Sequence, residues 1–440
     1  MFLLDTFKDY QNGYVFGTNA AGIEYDAQIT GGGEQSSLMA RFSVGSGGGY
    51  NVNWDAAWQV NTKIGDFGWS AEFAIPFKTL RYKEDGDQSW GINFQRIIAR
   101  KQEETQWAPI PRQFSMTRLV SAGTLQNMVA PPPRNLKFMP YTLGQQNNNK
   151  GEESSNASAV DFGVDAKLGI GSGMTLDLTY NTDFAQVEVD QQQVNLTRFN
   201  LFFPEKREFF LESKGTFDFG SGARVLGNRP GNPARRGTGP AGTGGGGSDV
   251  PTVFFSRQIG LEGGVAVPIT GGGRLTGKAG RFSIGALNIQ TGSQSNIEAL
   301  ATNFTVVRLK RDILRRSRIG GIYTRRSRSL QRNGANEAYG VDAALSFYDN
   351  VTFNGYYAKT STPGYTKHDS SYQAAFTYSG DLYGFQLDHL FVGDNFNPEV
   401  GFLRRDDFRR SFVAAQYSPC LLYTSPSPRD GLLSRMPSSA

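Results

Sequence analysis

The sequence has little cysteine and histidine, and it has no long apolar run. Cys420 is the only cysteine among the 440 residues, which excludes a disulfide framework. His368 and His389, the two histidines, are far apart in the chain and show no metal-ligand spacing. No stretch approaches the ~18 consecutive apolar residues of a membrane-spanning helix. A helical membrane protein is therefore excluded.

The chain also has little net charge, +5 for its whole length. The basic residues concentrate between Arg308 and Arg328, but no recognisable nucleic-acid-binding fold accompanies them. We therefore expect no nucleic-acid partner. Three roles stay open for this arginine cluster. Outward side chains would attract lipopolysaccharide phosphates, inward ones would favour anions in a pore, and loop charges would simply be solvated.

Glycine and aromatic residues, in contrast, are plentiful. The chain has 54 Gly, 12% aromatic residues and only 38% hydrophobic residues, which disfavours a helical soluble domain. A transmembrane β-barrel reconciles these values, because only every second residue of its strands meets lipid.

Apolar and polar residues alternate over much of the chain. In the segment Val160–Leu168 every second residue is apolar, and Asp165 and Lys167 lie among the others. The same alternation recurs around Leu176–Tyr180, Val341–Phe347 and Tyr372–Tyr378. Period-two alternation predicts strands with one apolar face. A soluble β-sandwich or propeller fits this pattern too, but Tyr and Phe at the borders of the apolar face favour a membrane barrel.

Composition divides the chain into four parts. Residues 1–128 hold all five Trp and short strands, residues 129–135 form a Pro-rich hinge, residues 136–417 carry the longer strands, and residues 418–440 abandon the alternation. The fourth part resembles the translated adapter tails of metagenomic fragments. Since no signal peptide is present, we expect a fragment truncated at both ends.

The predicted fold is therefore all-β. It comprises a partial N-terminal β-sandwich (1–128) and an incomplete antiparallel transmembrane β-barrel (136–417). Within the barrel, the Gly- and Pro-rich segment from Gly220 to Asp249 is expected to be a long mobile outer loop, and Gly271–Arg274 is expected to be a hairpin turn.

Several motifs carry a resemblance to known families. Tyr14–Asp26, Trp54–Trp58 and Gly68–Phe77 follow one another as in the family 9 carbohydrate-binding module, which they resemble. Farther along, Thr179–Asp190 and Phe202–Glu212, with Phe255–Gly260 behind them, look like the DUF5916 family. This resemblance implies a carbohydrate-binding sandwich joined to an outer-membrane barrel, with the sandwich in the periplasm.

Tryptophan rings are the candidate platforms for sugars, because the C–H faces of a sugar ring stack on flat indoles. Trp69 and Trp90 sit in strand-like sequence and are expected to be core residues. Trp54 and Trp107 lie in polar surroundings and are the preferred stacking candidates. Three charged residues are candidates for the rim of this site, although an ion pair between them is the alternative reading: Arg96, Arg100 and Glu104.

Carboxylates in the second part suggest two further roles. Asp183 and Glu188 are weak candidates for the acid pair of a glycoside hydrolase, which needs two carboxyl groups about 5–10 Å apart. A second set of residues is expected to form a structural ion network in the barrel lumen: Glu205, Lys206, Arg207, Glu208 and Glu212. No cofactor or metal is expected. A structural Ca²⁺ near Asp26 or Asp55 has no supporting ligand spacing.

These observations predict an outer-membrane protein that captures or passes on carbohydrate during polysaccharide catabolism. Its expected partners are carbohydrate and outer-membrane lipid, including lipopolysaccharide; its oligomeric state stays open. Two alternatives remain. One is an enzyme that hydrolyses O-glycosyl bonds, and the other is a structural or export barrel whose sandwich contacts a protein.

Overall fold

The computed structural model describes most of the chain. The residues it describes are 1–30, 32, 50–51, 54–66, 68–82, 87–101, 103–111, 114–131, 136–148, 156–171, 173–181, 203, 205, 207–211, 214–220, 249–262, 265–294, 299–314, 316–380 and 382–417. Within these ranges the protein is almost entirely β, with antiparallel sheets, as the alternation predicted. None of the helices in the described ranges is long and apolar enough to cross a membrane.

The first sheet, called the N-terminal sheet, lies in the first 129 residues. In spatial order its strands are β4 (Tyr50–Asn51), β3 (Tyr25–Ile29), β2 (Gly13–Gly17), β1 (Phe2–Asp5), β7 (Asp87–Ile98) and then β8 (Glu103–Gln106) with β9 (Gly123–Val129), which both pair with β7. A separate hairpin consists of β5 (Gln59–Gly65) and β6 (Gly68–Ala74).

Alternation along the N-terminal sheet buries both of its faces. Leu3 and Val15 pack on one face with Leu119, which lies in the 3₁₀ turn Leu119–Ser121. On the other face, Leu4 and Phe16 pack with aromatic residues that the β5–β6 hairpin and its flanks supply. This two-layer arrangement agrees with the predicted β-sandwich, and we call residues 1–131 the sandwich.

The second sheet, called the meander sheet, has each strand antiparallel to the next along the chain. Its strands are β10 (Leu136–Asn148), β11 (Asn156–Ile170), β12 (Met174–Tyr180), β15 (Ile269–Ala279), β16 (Phe282–Thr291), β17 (Asn303–Asp312), β18 (Arg318–Arg326), β19 (Asn336–Phe347), β20 (Val351–Ser361), β21 (Ser370–Ser379), β22 (Tyr383–Val392) and β23 (Phe408–Tyr417). A small hairpin of β13 (Leu261–Glu262) and β14 (Val265–Ala266) precedes β15. The sequence of Gly271–Arg274 was expected to be a turn, but it lies inside β15.

The two ends of the meander sheet differ in their connections. At one end, which we call the short-turn end, the strands are joined by two to five residues at 171–173, 280–281, 313–317, 348–350 and 380–382. The connections at the opposite, long-loop end have seven residues or more. The expected outer loop belongs to the stretch between β12 and β15, and its residues 221–248 lie outside the described residues.

One face of the meander sheet is covered by an inner segment, defined as the described residues of 203–220 and 249–260. It includes the short helix α1 (Glu208–Leu211) and the 3₁₀ turns Lys214–Phe217 and Ser256–Gln258. Phe209, Phe217 and Ile259 pack against Leu287 and Phe304 of the sheet. We call this covered face the inward face and the other the outward face.

Candidate functional site

The two faces of the meander sheet have the reverse of the usual distribution of polarity. Large apolar side chains of the outward face are exposed, among them Leu178, Val341, Leu387 and Val413. Charged and amide side chains of the inward face are buried, among them Asp177, Arg274, Arg308, Gln373 and Asp388. In a water-soluble sheet, burial would favour the apolar side chains, since exposed apolar patches rarely exceed a few hundred Å².

Aromatic residues border the apolar band of the outward face. Tyr323, Tyr339, Tyr357 and Tyr372 lie towards the long-loop end, on four consecutive strands. A second row towards the short-turn end contains Phe347, Tyr378, Phe385, Tyr383 and Tyr417. On β19 the two rows are about 27 Å apart along the strand, at ~3.4 Å per residue.

Polar outward side chains are grouped beyond the first aromatic row, although the pair His389–Ser411 lies just inside it. Asn288 donates to Asn303 (3.0 Å) and to Thr305 (2.9 Å) across neighbouring strands. Arg325 pairs with Glu337 at 3.4 Å on the next two strands. The outward face is therefore apolar across its middle and polar at the long-loop end.

Charged residues of the inward face are paired with each other. Arg274 of β15 binds Asp177 of β12 at 2.7 Å, and Arg308 of β17 binds Asp342 of β19 at 2.7 Å. Asp388 accepts hydrogen bonds from Gln373 (2.7 Å) and Arg410 (3.5 Å). Burying a charge is costly unless it is paired and hydrogen-bonded, so these pairs fix the polar interior.

The predicted lumen network is centred on two of its five residues. Both Glu205 and Arg207 are almost completely buried; the guanidinium of Arg207 donates two hydrogen bonds of 2.7 and 2.8 Å to Glu205, and its backbone N–H donates a third of 3.0 Å. Arg207 also donates to the carbonyls of Ser256 (2.9 Å) and Ile259 (2.8 Å), while the Ser256 hydroxyl donates to Glu205 (2.8 Å). This pair therefore joins the two parts of the inner segment.

The other members of that network are not placed by the structure. Lys206 and Glu212 lie outside the described residues, and Glu208 is described only as the start of α1. Asp183 and Glu188 also lie outside the described residues. The predicted acid pair thus stays a prediction.

Aromatic residues of the sandwich occupy other places than expected. Trp54 is only 8% exposed, and its ring packs against Tyr14 at 5.0 Å. The prediction that Trp54 offers its ring to a sugar is therefore wrong. Trp90 is 3% exposed and belongs to the core, as expected. Trp69, also expected in the core, is 44% exposed, because it lies beside the tip of the β5–β6 hairpin.

Trp107 is the exposed platform of the sandwich, with 62% of its surface accessible. Its ring lies over the backbone of Gly123, where an added Cβ would approach it to 2.4 Å. The indole meets Phe94 edge to face at 6.1 Å; Phe94 in turn lies 6.0 Å from the ring of Phe2, and Phe2 lies 5.0 Å from the ring of Phe73. We call these four residues the aromatic stripe.

Of the three charged residues predicted to surround the sugar site, only Arg96 lies on the same face as the aromatic stripe. Arg96 follows Phe94 by two residues on β7 and therefore shares its face. Glu104 lies across from Ile97 on the opposite face, where Gln95 donates to it. Arg100 is in the 3₁₀ turn Ala99–Lys101. Sequence reasoning missed Phe94, although the even positions Trp90, Ile92 and Phe94 indicated one apolar face.

The arginine cluster divides between the two faces. Arg308 and Arg326 are buried on the inward face, where Arg326 pairs with Glu262 at 2.9 Å. Arg325 is exposed on the outward face, and Arg316 binds the carbonyl of Tyr348 (2.8 Å) at the short-turn end. The cluster therefore has inward-facing, paired members and an exposed, outward-facing member, as alternation places them, and its effect on anions or lipopolysaccharide stays a prediction.

No metal centre is apparent in the described part of the chain. There, no group of three or more His, Cys, Asp or Glu side chains is placed to hold an ion. Asp26 accepts hydrogen bonds from the Ala56 amide (2.8 Å) and from the Trp58 indole (3.3 Å). Burial raises the pKa of Asp26 above its ordinary value, although these two bonds oppose the shift.

Comparison with known protein families gives a match to part of the chain. The model of a family described as a domain of unknown function, DUF5916, matches residues 132–234. Over these residues, which include β10 to β12 and part of the inner segment, the chain is similar to that family, as its motifs suggested. The match covers less than half of the chain. No curated protein matches the sequence.

Proposed function

We propose that this chain is an outer-membrane β-barrel protein whose N-terminal sandwich binds carbohydrate and supplies it for polysaccharide catabolism. The reversed polarity of the meander sheet carries the first part of this proposal. An apolar outward face between two aromatic rows suits a bilayer, and paired charges on the inward face suit a wet lumen. For strands tilted by ~40°, the ~27 Å between the rows corresponds to roughly 20 Å along the membrane normal, near the ~25 Å band of such barrels.

The lengths of the connections between strands support one orientation of the protein in the outer membrane. Outer-membrane barrels have short periplasmic turns and longer extracellular loops. The sandwich contacts the short-turn end through Asp9–Lys278 and Arg118–Asp349. This arrangement supports a periplasmic sandwich and an outer leaflet at the polar, long-loop end of the strands.

A refolding experiment tests the membrane proposal. The chain is unfolded in urea and diluted into phosphatidylcholine vesicles or into buffer alone. We expect it to float with the vesicles, to be protected from trypsin in its strands and to migrate faster on gels when unheated. A monomer that folds in buffer without vesicles or detergent would overturn the proposal.

The aromatic stripe supports the carbohydrate-binding part of the proposal. Trp107 and Phe94 form an open aromatic corner on the surface, with Arg96 on the same face to bind hydroxyl groups. Aromatic rings of this kind present a large apolar surface with little conformational freedom to lose. Sugar rings would stack on Trp107, while Trp54 would act only by supporting the core.

A glycan array with the detergent-solubilised chain tests this part. We expect binding to at least one polysaccharide and a loss of tenfold or more in Trp107→Ala and in Phe94→Ala. Trp69→Ala is the matched control, because Trp69 is also exposed but lies at the hairpin tip. Equal losses in all three variants, or no sugar bound at all, would favour the alternative of a protein partner. Release of reducing ends, abolished in Asp183→Asn or Glu188→Gln, would favour the glycoside hydrolase instead.

A further inference from the structure

The sandwich is fastened to the short-turn end of the meander sheet at several separate places. The described contacts reach β15, the β19–β20 turn and the inner segment. They therefore extend across several neighbouring strands instead of gathering at one edge. A domain fastened in this way lies over the end of the sheet.

The first fastening is a bridge made by Lys278 near the end of β15. Its ammonium group lies 2.6 Å from Asp9 of the sandwich and 2.8 Å from Asp312 at the end of β17. All three side chains are largely buried, so water screens this bridge less than it screens a surface ion pair. Without the ammonium group, the bridge would lose its cation and the two carboxylates would remain without their shared partner.

The second fastening is at the β19–β20 turn. Arg118 of the sandwich donates to the carbonyl of Asp349 (3.1 Å) and lies 3.5 Å from its carboxylate. Arg118 is itself buried and stacks on Phe114 at 3.6 Å. The sandwich thus holds this guanidinium group in a fixed position against the turn.

The third contact reaches the inner segment. Thr30, beyond the end of β3, lies so close to Gly215 that an added Cβ would meet its side chain at 2.3 Å. The same stretch is held to the sheet wall by Lys310, which donates to the Gly215 carbonyl (2.7 Å), and by Arg308, which donates to the Asp218 carbonyl (3.1 Å). Residues 214–220, which we call the strap, therefore lie between the sandwich and the interior of the meander sheet.

We propose that the sandwich is a lid on the short-turn end, closed by the Lys278 bridge and the Arg118–Asp349 contact, and that it holds the strap in place beneath it. Opening the lid removes the Thr30 contact, which leaves the strap held by the sheet alone, through Lys310 and Arg308 and through the packing of Phe217 and Phe219. Since the inner segment packs on the inward face beneath the sandwich, a solute that crosses this end has to displace the strap. Lid and strap together make this end of the protein a gate.

Hydrogen exchange in detergent tests the lid without a membrane. In Lys278→Met, we expect the amides of 214–220 to exchange at least tenfold faster, while those of β1 and β7 keep their rates. Lys359→Met is the matched control. It removes the cation of the pair Lys359–Asp369 (3.6 Å), which lies on the outward face at the long-loop end, away from the fastenings of the sandwich. Unchanged exchange of the strap in the double variant Lys278→Met, Arg118→Met, which removes both cations of the fastenings, would overturn the proposal.

A pair of compensating substitutions at Gly215 and Thr30 provides a second, independent test. Gly215→Ala places a methyl group against Thr30, and we expect the strap to exchange faster, as in Lys278→Met. Adding Thr30→Gly removes the obstruction and is expected to restore the slow exchange. Fast exchange that persists in the double variant would show that Gly215 acts within the strap alone, against the proposed contact with the lid.

The gate itself is measured by ion conductance after insertion into planar bilayers. We expect at least a threefold higher open fraction in Lys278→Met than in the unaltered chain or in Lys359→Met. This arm rests on the proposed membrane function, whereas hydrogen exchange does not. A chain that fails to insert but shows the faster strap exchange contradicts the membrane proposal alone. Equal conductance in all three inserted proteins contradicts the gate.

Discussion

Glu205 and Arg207 form an ion pair inside the inner segment, where neither side chain meets water. We expect Arg207→Met to lower the free energy of unfolding by about 3–5 kcal/mol, because it leaves a buried carboxylate without its counter-charge. Urea unfolding in detergent, followed by circular dichroism, measures the change. Arg325→Met is the control, since the exposed Arg325–Glu337 pair contributes about 1 kcal/mol or less. Equal losses in the two variants would contradict a structural role of the buried pair.

Asp5 is a buried carboxylic acid at the end of β1. Burial, followed by repulsion from Asp9, raises the pKa of Asp5 to about 7, although the amides of Asp9 and Tyr10 donate to it. Because the unfolded value is 3.8, the folded state holds the proton more tightly between these two pH values. The resulting stabilisation is complete below about pH 3.8 and is lost as the pH rises through about 7.

The corresponding experiment compares unfolding of the sandwich at pH 5 and pH 8. We expect the unaltered chain to be less stable at pH 8, and Asp5→Asn to reduce this difference because its amide does not ionise. Asp66→Asn, at the exposed tip of the β5–β6 hairpin, is the control and should keep the full difference. The same pH dependence in Asp5→Asn would assign the effect to another group.

At the scale of the strand, arginine substitutions on the outward face test whether lipid or water covers that face. Val341 lies in the apolar band of β19, whereas Ser361 is exposed at the long-loop end of β20. In vesicles, we expect Val341→Arg to destabilise the folded state by about 2–4 kcal/mol and Ser361→Arg by about 0–1 kcal/mol. Equilibrium unfolding from vesicles measures both. If water covers this face instead, both substitutions should remain within about 0.5 kcal/mol.

The strands were predictable because alternation is local. Leu176–Tyr180 and Val341–Phe347 show in sequence which residues share a face, and the structure places them accordingly. The turn predicted at Gly271–Arg274 was wrong; it rested on consecutive glycines, which typically mark turns. Here they allow close approach inside β15, where a Cβ on Gly272 would lie 2.4 Å from the Asn288 carbonyl.

The environment of single side chains was less predictable, because it depends on distant elements. Trp54 has polar neighbours in sequence, yet its ring is buried among aromatic residues from β2 and the β5–β6 hairpin. Trp69 lies in an apolar strand, but that strand projects to an exposed tip. Trp107 was identified because its polar neighbours do lie on an edge of the sheet, whereas its partner Phe94 required the pairing of β7 with β8.

At the scale of the whole molecule, the chain has separate hydrophobic cores joined by polar contacts. The cores of the sandwich contain Leu3, Phe16 and their neighbours, while those of the meander sheet contain Leu287, Phe304 and the inner segment. The fastenings between them are mainly ion pairs and hydrogen bonds, such as Asp9–Lys278. Such contacts stabilise an arrangement but bury little apolar surface, so they do not merge the cores into one cooperative unit.

We therefore expect two unfolding transitions, and each should respond to substitutions in its own core. Trp54→Ala should lower the stability of the sandwich by about 3–5 kcal/mol and leave the meander sheet unchanged. Phe304→Ala should do the reverse, since its ring is buried against the inner segment. Tryptophan fluorescence reports the sandwich, because every Trp lies in residues 1–128, and circular dichroism reports both sheets. A single transition that both variants shift equally would show that the lid contacts couple the two sheets as strongly as a shared core.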